Sequence, residues 1–327
     1  MIDIRKIFTL SQPGEFEVLA LETFHFQYAK NKVYREFCDH LGILPKHVLT
    51  SRDIPHLPIE FFKTRKILCS DLKVATVFTS SGTTGQRPSR HYVADIGLYQ
   101  QSYLTAFAHF YGSVARYCVL ALLPAYLERE GSSLVHMVND LIQKSGHPDS
   151  GFYLNDLDKL SKTLIRLNNQ GTRILLLGVS FALLDLVEKH RFRLRNTIVM
   201  ETGGMKGRRR ELIRSELHQS LREGFGVEEI HSEYGMTELL SQAYSKGKGV
   251  FRAPPWMKVM ARDTEDPLSP QKNGKTGGLN IMDLANLHSC SFIATQDLGK
   301  VYADGSFEVL GRFDHSDIRG CNLMVLN

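Results

Sequence analysis

An apolar, β-branched run over 74–78 passes without a break into the loop TSSGTTGQRP over 79–88, and this junction constrains the chain more than any other segment. A strand must end where the sequence turns to glycine and hydroxyl side chains. With two glycines and five hydroxyls, the loop offers backbone N–H groups and side-chain donors to an anion such as a polyphosphate. Gly82 and Gly85 permit positive φ and a close approach of that anion. The same composition also suits a surface turn. A nucleotide P-loop is excluded, because the two glycines lie too close and no Gly-Lys-Ser/Thr follows.

Downstream, helical and extended patterns alternate. Spacing predicts helices over 95–110, 132–143, 156–167, 181–190 and 209–223, with strands over 117–122, 173–178 and 197–201. Such alternation argues for a parallel sheet covered by helices. Upstream, apolar residues over 15–40 recur at helical steps and read as one long helix or two, followed by a proline-interrupted connector over 53–60. From about Val250 short strands dominate, and Asp304-Gly305 supplies the positive φ values of a hairpin turn. The expectation is an α/β fold in one domain over 1–327, with a helical N-terminal region 1–70, an α/β core 71–249 and a β-rich end 250–327.

Forty basic against 35 acidic side chains leave a formal charge of +5, too mild to demand a nucleic-acid partner. The cysteines Cys38, Cys69, Cys118, Cys290 and Cys321 include no CxxC pair. A disulfide framework or a cysteine zinc site is therefore not expected, and a reducing, cytoplasmic location fits. The N-terminus does not read as a signal peptide. The longest apolar stretch, over 174–187, is broken by Ser180 and Asp185 and is too short to span a bilayer. No histidine pair has zinc-ligand spacing.

Further segments follow the loop in a fixed order: TGG (202–204), SEYGMTE (232–238), ATQDLG (294–299) and GRFD (311–314). Together with the loop they resemble the motifs of the adenylate-forming, acyl-CoA synthetase-like superfamily. IPHLPIEFFK (54–63), LPAYLEREGSSLVHMV (123–138), SEYGMTELLSQAY (232–244) and RGCNLMV (319–325) are similar to its acyl-protein synthetase, LuxE-type, branch. The resemblance implies an adenylate-forming large-domain fold with parallel-rich sheets and a β-rich end. It also implies ATP and Mg²⁺ as cofactors. The implied reaction activates a carboxylic acid, with a fatty acid as the expected class, to an acyl-adenylate and passes the acyl group to a protein thiol. An acyl- or aryl-CoA ligase, and a non-catalytic nucleotide-binding subunit needing a partner, remain open.

Residue by residue, the resemblance assigns phosphate contacts to Ser80, Ser81, Gly82, Thr83, Thr84 and Gly85. Gly203, Gly204, Tyr234 and Gly235 would border the adenine. Thr237 would bond the α-phosphate or the acyl carboxylate, and Glu238 would hold Mg²⁺. Asp297 would accept from the ribose hydroxyls, Arg312 would donate to the same sugar, and Cys321 would carry the acyl group as a thioester. Two departures stand out: Gln296 occupies a position where glycine is usual, and Pro88 is followed by Ser89 and Arg90 rather than Lys-Gly, with Arg87 or Arg90 as the nearby charges. Seven residues follow Gly320, so the superfamily's C-terminal lid domain is expected to be absent. The basic run over 206–210 reads as the opening of a helix, where the macrodipole disfavours positive charge. Solvated surface charge accounts for it, or an anionic partner such as the acidic helix of an acyl carrier protein. An acyl carrier protein or an acyl reductase is the implied partner.

Overall fold

The computed structural model describes residues 2–12, 14–80, 87–123, 131–154, 156–203 and 212–313. Helices α1 (Ile4–Ile7), α2 (Glu15–Lys30) and α3 (Lys32–His40) come first. The 15–40 pattern resolves into two helices because Asn31 is extended between them, and its side chain caps α3 by accepting from the Tyr34 N–H at 3.1 Å. The proline-rich connector forms a short strand, β1 (Leu57–Pro58), then helix α4 (Phe61–Thr64).

Strands β2 (Thr76–Thr79) and β3 (Arg90–Val93) pair as an antiparallel hairpin separate from the main sheet, so the hydroxyl-rich loop is a hairpin tip. The sequence reading did not anticipate β3, whose four residues mix charge, ring and aliphatic side chains without alternation. Helix α5 (Ile96–Tyr111) follows, capped by Asp95, whose carboxylate accepts from Gly97 and Leu98 N–H groups.

Beyond it the expected alternation appears: β4 (Cys118–Leu122), α6 (Ser133–Ser145), β5 (Gly151–Phe152), α7 (Leu157–Asn169), β6 (Ile174–Val179), α8 (Ser180–Lys189), β7 (Thr197–Thr202), α9 (Arg214–Phe225) and β8 (His231–Tyr234). Five of these strands lie parallel in the order β5-β4-β6-β7-β8. Every residue of β4 and β6 is buried, as strands covered on both faces require.

Helix α9 starts later than expected. Leu212 and Ile213 precede it in non-helical geometry, and Arg214 opens it; the basic run over 206–210 lies outside the described residues.

After β8 the sheet changes direction. Strands β9 (Ala243–Ser245), β10 (Val250–Arg252), β11 (Met257–Arg262), β12 (Thr276–Asp283), β13 (Phe292–Val301) and β14 (Phe307–Arg312) continue it in antiparallel pairing, in the order β8-β9-β10-β14-β13-β12-β11. Among the described residues this makes one twelve-stranded sheet, with β1 pairing parallel to β13 through Leu57 opposite Ile293. In the β13–β14 turn only Gly305 has positive φ, +79°, while Asp304 caps the turn by accepting from the N–H and hydroxyl of Ser306. The turn thus needs one left-handed residue where Asp-Gly had suggested two. Among the described residues, no helix is long and apolar enough to cross a membrane.

Candidate active site

Ligands of open α/β sheets bind outside the carboxyl ends of the parallel strands. Here β7 ends at Thr202 with Gly203 beyond it, and its neighbour β8 ends at Tyr234 with Gly235 beyond it. Gly203 adopts φ +69°, and its carbonyl accepts from the Ser180 hydroxyl at 2.8 Å. Ser81, Gly82, Thr83, Thr84, Gly85, Gly204 and Cys321 lie outside the described residues.

The stem of the hydroxyl-rich hairpin is closed by a reciprocal pair. The Ser89 N–H donates to the Ser80 hydroxyl at 2.9 Å, and the Ser80 N–H donates to the Ser89 carbonyl at 3.1 Å. Thr79 N–H donates to the Gly131 carbonyl at 2.8 Å, and Gly131 holds φ +82°. A Cβ there would come within 3.0 Å of the Thr79 hydroxyl and 3.1 Å of the Val77 carbonyl, so this close approach depends on glycine.

Tyr234, Asp297 and Arg312 meet as one unit. The Tyr234 hydroxyl donates to Asp297 Oδ2 at 2.7 Å, and Arg312 Nε donates to Oδ1 at 3.1 Å. The ring of Tyr234 packs edge-on against Phe251 and Phe307, which fixes its hydroxyl. Asp297 is buried, whereas the Arg312 side chain is 71% exposed and reaches over the carboxylate from the solvent side.

The unexpected glutamine is tied in as well: Gln296 Nε2 donates to Glu60 Oε1 at 2.5 Å, across from the β1 segment. Arg262 donates to the Thr295 carbonyl at 2.5 Å and to Asn280 Oδ1 at 2.8 Å. Residues 295–297 are thereby held from both flanks. Glycine could not make the Glu60 contact.

Glu238 is buried, and burial pushes its carboxyl above the usual range, opposed by a hydrogen bond from Ser89. No described cation sits within salt-bridge distance of it. Among the described residues, no group of three or more His, Cys, Asp or Glu side chains is placed to hold a metal ion alone. The 237–241 turn that carries Glu238 is gripped through its backbone. Asn286 Nδ2 donates to the Glu238 carbonyl at 2.7 Å, and its Oδ1 accepts from Leu240 N–H at 2.9 Å. Asp283 accepts from the N–H groups of Leu240 and Ser241 at 3.0 and 2.9 Å and from the Ser241 hydroxyl at 2.6 Å. Burial raises the Asp283 carboxyl to about 6 against these bonds. His91 reaches the Thr237 carbonyl at 2.9 Å. The sequence reading missed Asp283, Asn286 and His91, which reach this turn from far along the chain, mostly through its backbone atoms.

One buried acid lies directly under the exposed Gly235. Glu233 accepts from the Thr202 hydroxyl, and burial raises its carboxyl to about 7, with nearby Glu201 adding repulsion. A carboxyl raised in the folded state binds its proton more tightly there than in the unfolded chain. Stability therefore falls as pH climbs from about 4.5 to about 7 and levels off above. Glu233→Gln keeps an acceptor for Thr202 and cannot ionise. Urea unfolding at pH 5 and pH 7.5 should show the variant gaining up to ~3 kcal/mol on the wild type between those values. Parallel profiles would place the ionisation elsewhere.

A family model described as "Acyl-protein synthetase, LuxE" matches residues 11–104 and 148–327. The "Long-chain-fatty-acid--luciferin-component ligase" of Aliivibrio fischeri is 24% identical over 94% of this chain and 87% of its own length. Its counterpart of the same name in Vibrio harveyi is 25% identical over 92% and 85%. Among solved structures, 2-hydroxyisobutyryl-CoA ligase in the postadenylation state superposes with a TM-score of 0.63 at 12% identity, covering 92% of this chain and 67% of that one. ATP-bound MatB from Rhodopseudomonas palustris gives 0.55 at 17% identity, over 73% of this chain and 48% of that one, so this chain spans about half of MatB. The structural likenesses establish the fold.

Proposed function

The chain belongs to the acyl-protein synthetase, LuxE, family, and from that premise we propose that it activates a fatty acid with ATP and passes the acyl group to its own Cys321. In the first step a carboxylate oxygen attacks the α-phosphorus in line. The P–O bond to pyrophosphate breaks, and pyrophosphate leaves with that electron pair. In the second, the Cys321 thiolate attacks the acyl carbonyl, a thioester forms, and AMP departs with the electrons of the acyl–oxygen bond.

The supporting observation is convergence around the carboxyl end of β8. The stem of the phosphate hairpin reaches Glu238 through Ser89, while β8 and β13 join through Tyr234 and Asp297. Asp297 accepts from the ribose hydroxyls, oriented by Tyr234, while the exposed guanidinium of Arg312 donates to the sugar. Thr237 donates its hydroxyl to the oxygen on which charge grows.

Glu238 suits a hard divalent cation: it offers carboxylate oxygen, is buried, and has no described cation as a partner in an ion pair. Mg²⁺ held there would neutralise charge on the phosphate oxygens. Four of the five cysteines in the sequence are buried and free, and burial raises the Cys38 and Cys69 thiols to about 12 and Cys118 to about 11. Cys290 is raised further still. Such thiols are poor nucleophiles, which supports Cys321 over the other cysteines of this chain as the acceptor.

Incubated with a panel of carboxylic acids, Mg-ATP and labelled pyrophosphate, the protein should regenerate labelled ATP, most strongly with long-chain fatty acids. Exchange with none of them, alongside measurable ATP binding, would replace this reading with that of a nucleotide-binding subunit.

A further inference from the structure

Ser89 and His91 are two residues apart on the strip that leaves the phosphate hairpin, so their side chains share a face. Both reach the same short turn. Ser89 bonds the Glu238 carboxyl, and His91 Nδ1 lies 2.9 Å from the Thr237 carbonyl. The other ring nitrogen, Nε2, lies 2.8 Å from the Ser289 hydroxyl, in the buried turn between β12 and β13. A carbonyl only accepts. Nδ1 therefore carries the proton, and Nε2 accepts from Ser289.

We infer that His91 is a positioning residue, whose Nδ1–H sets Thr237 and Glu238 at a fixed place relative to the hairpin that presents the phosphate loop. The imidazole is buried, with the ring of Phe62 edge-on at 5.5 Å, and burial lowers its pKa to about 4. It is thus neutral at physiological pH and keeps this tautomer. An apolar side chain could fill the same space without the cost of burying two ring nitrogens. What His91 adds is direction: one donor aimed at one carbonyl, from the strand that follows the phosphate loop in sequence. Ser289 holds the ring from behind, and Asn31 Nδ2 in turn donates to the Ser289 carbonyl at 2.7 Å. The geometry of the turn thus reaches back to the junction of α2 and α3.

This inference rests on the adenylation reading, and its test separates the two. Asn places a donor near the Nδ1 position, whereas Gln reaches toward Nε2 and loses the Thr237 contact. His91→Asn should keep pyrophosphate exchange within about threefold of wild type, while His91→Gln should lose about tenfold in kcat with little change in KM for the acid. Melting supplies a readout independent of turnover. The extra rise in Tm that ATP gives with Mg²⁺ rather than EDTA should survive in the Asn variant and shrink in the Gln variant. Ser289→Ala, which leaves Nδ1 its carbonyl but removes the brace on Nε2, should lose some exchange, less than the Gln variant, and serves if either His91 variant fails to fold. If the Asn and Gln variants behave alike in both assays, or Ser289→Ala matches the Gln variant, His91 is a packing residue only. If the wild type exchanges with no acid, the adenylation reading falls, and the Mg²⁺-dependent shift in Tm still decides the role of His91.

Discussion

Glu238→Gln should lower acid-dependent pyrophosphate exchange by about a hundredfold, roughly 3 kcal/mol of transition-state stabilisation. The substitution is nearly isosteric. It leaves the backbone carbonyl of residue 238 in its bond with Asn286, and it keeps an oxygen for Ser89. What disappears is the negative charge. Because burial disfavours that charge in the ligand-free protein, the variant should melt at the same temperature as the wild type or higher. Lower activity with undiminished stability is the diagnostic combination. It would assign the buried carboxylate to holding a cation, because a purely structural acid would lose stability first. Full exchange activity in Glu238→Gln would remove Glu238 from the chemistry.

The second large effect is expected at Cys321. With labelled fatty acid and Mg-ATP, the wild type should acquire label in a bond that neutral hydroxylamine cleaves, as it does a thioester. Cys321→Ser should lose most of that label while retaining pyrophosphate exchange, since adenylation precedes transfer. A thiol tethered to the same chain reaches an effective concentration in the ~millimolar range. Transfer would therefore outpace capture by a dilute external thiol. Normal labelling of the serine variant, or efficient capture by free coenzyme A, would make this a CoA ligase or a donor to a partner's thiol.

The parts of the fold legible in the sequence are those whose signal is local. Helix α6 and strand β6 announce themselves by spacing and by an unbroken apolar run, because each pattern lies within one element. Helix α9 was placed too early because charged residues ahead of it are compatible with a helix, and the extended Ile213 leaves no compositional mark. Asp297 and Tyr234 were legible only as motif members. Their hydrogen bond joins residues 63 positions apart, and no local rule links them. Asp283 and Asn286 left no trace at all. Apart from the Ser241 hydroxyl, their partners in the turn 42 to 48 residues away are N–H groups and a carbonyl, and backbone atoms carry no sequence signature. Gln296 stands out in the sequence as an oddity, and its partner Glu60, 236 residues away, leaves no local mark that would explain it.

The pairing of β1 with β13 carries a consequence for biosynthesis. Glu60 and Gln296, which flank that pairing, are 236 residues apart. At roughly 5–20 residues per second, a ribosome needs on the order of 10–50 s to make the intervening chain. Until then Leu57 and Ile59, both buried in the finished protein, have no β13 to pair with. The nascent N-terminal region must wait, partly folded, for its last neighbours, and it is in this interval that a holding chaperone would matter most to the yield of the protein.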